Sequence, residues 1–126
     1  MVNINSAIIV EDDPDWMEIL KGKFSSKFNC RIVGKGNLYD AVEAINKESF
    51  DLYVSCGGYP LKHGDISEEG ASFRFYDELM KINPEARFVI ISGRIENEDK
   101  ARELGIICYN RGNFTVDDLA ERLDGS

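Results

Sequence analysis

No stretch of this chain approaches the roughly 20 consecutive apolar residues needed to cross a bilayer. Met1-Val2-Asn3-Ile4-Asn5-Ser6 has no basic region leading into an apolar run, so no secretory signal is read there. Basic residues are scarce: 15 Lys and Arg face 23 Asp and Glu, for a net charge of -8. That balance argues against wrapping nucleic acid, which needs clustered cations on phosphate, and against an anionic membrane surface. Only three cysteines occur, Cys30, Cys56 and Cys108. The number is odd and no pair has the close spacing of a zinc or redox motif, so they are expected to be reduced thiols in the cytoplasm. No repeat, low-complexity tract or internal linker is visible.

What remains is one domain over residues 1–126, 43% hydrophobic and able to bury a real core. Short aliphatic runs alternate with amphipathic segments. Ala7-Ile8-Ile9-Val10 ends in Glu11-Asp12-Asp13, and Pro14 suits the first turn of a helix that Asp13 would cap. Trp16, Ile19, Leu20 and Phe24 then recur at helical spacing. Arg31-Ile32-Val33-Gly34 reads as a second strand, and Leu38, Ala41, Val42 and Ile45 as a second helical face. Leu52-Tyr53-Val54 is a third strand, broken by Gly57-Gly58-Tyr59-Pro60. A polar loop follows, and Phe75, Leu79 and Ile82 mark a third helix. Phe88-Val89-Ile90-Ile91, a charged helix from Glu96 to Leu104 stopped by Gly105, Ile106-Ile107-Cys108-Tyr109 and a last helix capped by Thr115 complete the pattern.

Five βα units with strands apolar on both faces predict an α/β fold, a doubly wound five-stranded parallel sheet with helices on each side. In such sheets the functional crevice lies at the carboxyl ends of the strands. The residues of interest are therefore Glu11-Asp12-Asp13, Cys56-Gly57-Gly58, Ser92-Gly93 and Tyr109 onward.

At those positions the chain resembles the receiver domain of bacterial response regulators, a flavodoxin-like fold, from Ala7 to about Leu123. The resemblance rests on Ile8-Ile9-Val10-Glu11-Asp12-Asp13-Pro14, on Phe50-Asp51-Leu52-Tyr53-Val54-Ser55-Cys56 with Pro60 beyond it, and on Ser92, Gly105, Tyr109 and Phe114. It implies that Glu11 and Asp12 match the family's Mg²⁺-holding acidic pair, with a main-chain carbonyl near Gly58 as a further ligand. It implies that Ser92 and Tyr109 match the switch residues. Two sites depart from the family: Cys56 stands at the phosphoacceptor aspartate, and Gly112-Asn113 at the usual Lys-Pro. A third departure is the lengthened segment Leu61 to Glu69 beside the crevice.

Phosphoryl transfer needs an attacking carboxylate, a divalent cation and a paired ammonium. Only the cation ligands persist here, and a soft thiol is a poor Mg²⁺ ligand. Ser55 should face the opposite side of the strand, and Asp51 lies at its far end. Asp65 in the long loop is the one other carboxylate within reach. Arg111 offers a cation, although its side chain is expected to point away from the pocket. His63 reads as a solvated loop residue, and Cys56 as a small buried hydrophobe.

The expectation is a pseudo-receiver of two-component signalling: a phosphorylation-independent protein-interaction module, not an enzyme, with no cofactor beyond weakly held Mg²⁺. Its partner would be another signalling protein, an attached output domain or a second copy. Tyr109 and Arg111 would sit on the partner-binding face. The alternatives are a receiver phosphorylated at a non-standard site such as Asp65, and a thiol sensor using Cys56.

Overall fold

Strand alternation sends Ala7 and Ile9 to one face of the first strand and Ile8 and Val10 to the other. All four are fully buried. A strand with no solvent face must be covered on both sides, and the chain does so with helices. The computed structural model describes residues 3–125; Met1, Val2 and Ser126, the ends of the expected domain, lie outside the described residues.

The elements run β1 (Ser6–Val10), α1 (Pro14–Phe28), β2 (Arg31–Lys35), α2 (Leu38–Lys47), β3 (Leu52–Ser55), β4 (Tyr59–Pro60), β5 (Ser67–Glu68), α3 (Ala71–Ile82), β6 (Phe88–Ser92), α4 (Ile95–Leu104), β7 (Ile107–Asn110) and α5 (Val116–Asp124). The main sheet is five-stranded and parallel, in the order β2-β1-β3-β6-β7. Chain direction across the sheet reverses between β1 and β3, so the crevice opens at their carboxyl ends. Ile9, Val54, Cys56, Val89 and Ile91 pack with Met17, Leu20 and Phe24 of α1 and Leu119 and Leu123 of α5. Ile8, Val10, Tyr53 and Ile90 pack with Leu38 and Ile45 of α2, Phe75 and Leu79 of α3 and Ala101 of α4.

The caps explain the helix ends. Asp13 accepts the amides of Asp15 at 2.9 Å and Trp16 at 3.4 Å, and Pro14 opens α1. Thr115 Oγ1 accepts the amide of Asp118 at 3.1 Å. Gly105 ends α4 at φ 73°, a left-handed conformation that glycine adopts without strain.

Three expectations need correction. In α1 the buried face is Met17, Leu20 and Phe24, while Ile19 is 46% exposed; residues 17, 20 and 24 share one stripe and Ile19 falls off it. In α3 Ile82 is 47% exposed, because the buried stripe starts earlier, at Ala71, Ser72 and Phe75. The stretch after Gly58 is also more than a loop. Tyr59–Pro60 and Ser67–Glu68 pair antiparallel, with Tyr59 opposite Glu68. Tyr59 is fully buried and anchors this hairpin, and Gly64 supplies a positive φ of 88° near its tip.

Candidate functional site

The parallel register brings the strand ends together. Val10 lies beside Ser55, and the Cys56 amide bonds to the Val10 carbonyl at 2.9 Å. The Arg111 amide bonds to the Ser92 carbonyl at 3.0 Å. A cleft of about 630 Å³ results, lined by Glu11, Asp12, Asp13, Gly57, Gly58, Ser67, Ser92, Gly93, Arg94 and Arg111.

Glu11 is the most constrained of these. Its side chain is 2% exposed. Its carboxylate accepts the Asp13 amide at 3.0 Å and Arg111 Nη2 at 3.2 Å. Burial pushes its pKa up to about 7, against the pull of the Asp13 amide and of Arg111. The guanidinium of Arg111 also lies 5.4 Å from the Trp16 ring centre, a cation–π distance.

Arg111 therefore points into the pocket, against expectation. The reason is the turn that follows β7. Asn110 Oδ1 accepts the Gly112 amide at 2.9 Å, and the Asn113 amide returns to the Asn110 carbonyl at 3.0 Å. This Asx turn redirects the chain where the family has Lys-Pro. A Cβ on Gly112 would lie 3.3 Å from Asn110 Oδ1, so the turn suits glycine.

Cys56 is fully buried and is not among the cleft-lining residues. It packs with Val54 and Ile91 in the layer under α1 and α5. Burial, and secondarily the charge of Glu11, raise its thiol pKa well above the ordinary value. Ser55 faces the other layer. Its Oγ lies 2.7 Å from both Tyr59 Oη and Ser72 Oγ, and Ser72 Oγ donates to the Gly57 carbonyl at 2.6 Å.

Ser92 Oγ accepts the Arg94 amide at 3.1 Å and Asn97 Nδ2 at 2.8 Å, so it holds the turn that leads into α4. The Tyr109 ring packs edge-on against Phe114 at 5.3 Å, and its buried hydroxyl has no hydrogen-bond partner among the described residues. Asp65 and His63 are exposed on the hairpin, and neither lines the cleft. The hairpin residue that enters it is Ser67, whose Oγ donates to Asp12 Oδ2 at 2.6 Å. Ser67, Arg94 and the Ser55–Tyr59–Ser72 chain were not foreseen. The length of the loop was the only sequence signal, and it carried no register.

These residues do not assemble a Mg²⁺ site. The Glu11 carboxylate is committed to Arg111 and an amide, Asp12 to Ser67, and Cys56 offers a buried thiol in place of an oxygen. Among the described residues no group of three or more His, Cys, Asp or Glu could hold a metal ion. No described helix is long and apolar enough to cross a membrane.

No family model matches the sequence, and no curated protein matches it significantly. Solved structures do match. Response regulator TrrA of Thermotoga maritima, in complex with Mg²⁺-BeF, aligns at 17% identity and TM-score 0.75 over 97% of this chain and 98% of that one. A LuxR-family DNA-binding response regulator of Staphylococcus aureus aligns at 16% and 0.75 over 97% and 98%. The signal receiver domain of an HD domain-containing protein of Pseudomonas fluorescens aligns at 14% and 0.71 over 99% and 88%. The five-stranded parallel sheet flanked by five helices is the fold of CheY-like receiver domains.

Proposed function

We propose that this chain is a receiver-fold signalling module that binds a partner in a fixed conformation and accepts no phosphoryl group. The observation that carries this reading is Cys56. A fully buried, protonated thiol stands behind the cleft at the strand end where the fold places its phosphoacceptor carboxylate. A thiol held protonated is a poor nucleophile and a poor Mg²⁺ ligand. Gly112 supplies no ammonium either. A switch needs a ligand with different affinity for two states. Ser92 is committed to the Arg94 amide and Asn97, and Tyr109 is packed on Phe114, so neither has such a ligand to follow.

The same observations weaken the two alternatives. Asp65 is exposed and does not line the cleft, so nothing there gathers charge for phosphoryl transfer. Burial and the nearby Glu11 both suppress the Cys56 thiolate that a redox sensor needs. On this reading Mg²⁺ is held only weakly, because the Glu11 and Asp12 carboxylates are already engaged.

The partner would be another signalling protein or an attached output domain in the cytoplasm. Two of the similar structures are of a DNA-binding response regulator and of a receiver domain from an HD domain-containing protein. The docking face would run over α4, β7 and α5. There Glu98, Arg102, Ile106, Cys108 and Arg122 line a groove of about 200 Å³, and the Arg122 guanidinium lies 5.4 Å from the Tyr109 ring centre. Aromatic and Arg side chains carry a large share of interface energy. Arg111→Ala should weaken partner binding, while Cys56→Ser leaves it nearly intact.

The deciding experiment is incubation with acetyl phosphate and Mg²⁺ followed by intact mass. No added phosphate is expected. A stoichiometric, acyl-phosphate-labile adduct would refute the reading.

A further inference from the structure

A groove of about 640 Å³ runs between α2 and α3, and it shares no lining residue with the cleft or with the groove over α4, β7 and α5. Its lining follows α2 from Leu38 to Lys47, the whole of that helix and about 15 Å of length. Arg74 and Glu78, about one turn apart on α3, supply the opposite wall. The lengthened segment closes one end with Leu61 and Lys62. It is fixed there by the Tyr39 amide, which donates to the Leu61 carbonyl at 2.8 Å. Leu38, Val42 and Leu61 belong to the core layer beneath, while Tyr39 beside them is 62% exposed.

The rim narrows the occupant. Lys47, Lys62 and Arg74 stand against Glu43 and Glu78, a positive balance on a chain of net charge -8. Glu43 is already paired with Lys47 at 3.4 Å, and Glu78 with Lys81 at 3.1 Å. Arg74 is paired with Glu68 at 3.3 Å. Lys62 is exposed and has no ion pair among the described residues, so it is the cation left over. Both walls are helices whose backbone groups are already paired. An extended strand would find no ladder there, whereas a helix satisfies its own amides. A second copy of this chain has no helix to offer. Among the described side chains the large exposed apolar ones are Ile19, Tyr39, Ile66, Ile82 and Leu104, and no two share an element.

We infer that this groove is a second interaction face, which receives an amphipathic helix of a partner protein, apolar along one stripe and acidic beside it. The stripe lies on Tyr39, Val42 and Leu61, and a carboxylate at its edge pairs with Lys62. The lengthened segment is then the element that completes the groove. This face stands whether or not the cleft accepts a phosphoryl group.

The test uses a fluorescent synthetic helix of about 15 residues with a leucine stripe flanked by Glu, and a twin with Lys in place of Glu. Anisotropy at low salt gives their affinities for the full chain, and amide NMR shifts locate the contact. The Glu peptide should bind about tenfold tighter than the Lys twin, with shifts in α2, α3 and residues 61–62. Tyr39→Ala should weaken the Glu peptide about tenfold, and Lys62→Glu about fivefold. Both side chains are exposed, so neither change threatens the fold. Equal affinity for the two peptides, no binding of either at about 1 mM, or shifts confined to α4, β7 and α5 overturns the inference. So does indifference to both substitutions. A wild-type dimer in light scattering that Tyr39→Ala dissolves would give the groove to a second copy and overturn it as well.

Discussion

Glu11 makes the stability of this domain depend on pH in an unusual direction. Its carboxyl is displaced upward, from 4.5 to about 7, chiefly by burial. Below pH 4.5 it is protonated in both folded and unfolded chains, and the full stabilisation is present. As pH rises toward 7, the unfolded chain releases the proton while the folded chain keeps it, so stability falls. Above about 7 the loss is complete. At about 1.4 kcal/mol per tenfold change in proton affinity, the whole effect is about 3 kcal/mol, of which about 2.5 kcal/mol falls between pH 5 and pH 8. The 2% exposure of the side chain justifies using the value without a large discount for solvent screening.

The assay is urea unfolding of the wild type and Glu11→Gln at several pH values. Subtracting one from the other cancels the titration of the other carboxylates. Glu11→Gln should gain about 2.5 kcal/mol relative to the wild type between pH 5 and pH 8. Arg111 opposes the upward shift, so Arg111→Met should carry the titration to higher pH. A difference between wild type and Glu11→Gln that stays flat within about 0.5 kcal/mol would refute the argument. It would mean that the Arg111 pair and the Asp13 amide hold Glu11 ionised throughout.

Cys56→Asp should destabilise the domain by about 3 kcal/mol or more, because it places a carboxylate in a fully buried site near Glu11; urea midpoints check this, and a variant as stable as the wild type would contradict the burial. In the buried hydroxyl chain the Gly57 carbonyl can only accept, so Ser72 donates to it, Ser55 donates to Ser72 and Tyr59 donates to Ser55. Ser72→Ala strands a donor and a carbonyl and should cost about 2 kcal/mol, against about 1 kcal/mol for Tyr59→Phe, which strands only an acceptor site; a reversed order of costs would contradict this chain of hydroxyl bonds. Alkylation of the folded protein should label the half-buried Cys30 and Cys108 before Cys56. Rapid labelling of Cys56 would restore the thiol-sensor reading.

The main sheet was legible because its code is local. Ile8-Ile9-Val10 and Val89-Ile90-Ile91 have no polar alternation, which only a strand covered on both faces tolerates. The caps at Asp13 and Thr115 were legible for the same reason, since the capping side chain and its amides lie within three residues. Helix faces were less secure: Ile19 is apolar but lies off the stripe of Met17, Leu20 and Phe24, and Ile82 is the last residue of α3 and half-exposed. The hairpin was illegible because its two strands are two residues each and its register depends on Gly58 meeting Glu68, a contact across ten residues. Arg111 was misjudged because the family's turn was assumed, while the Asn110 side chain builds a different one.

The departures at 56, 111 and 61–69 form one electrostatic argument. An acidic turn with an aspartate at position 56 would place another carboxylate beside Glu11, and the group could not remain ionised together without an external cation. Cysteine removes that charge and fills the space with a small apolar group. Glu11 and Asp12 are then served by partners from the chain itself. The Asx turn at Asn110 turns Arg111 inward to serve the first, and the lengthened hairpin brings Ser67 to the second. On the proposed reading, phosphoryl acceptance would therefore require more than an aspartate at 56 and a lysine at 112. The new carboxylate would still face Arg111 as its competitor for Glu11, and a cation would still meet the hairpin lying across Asp12.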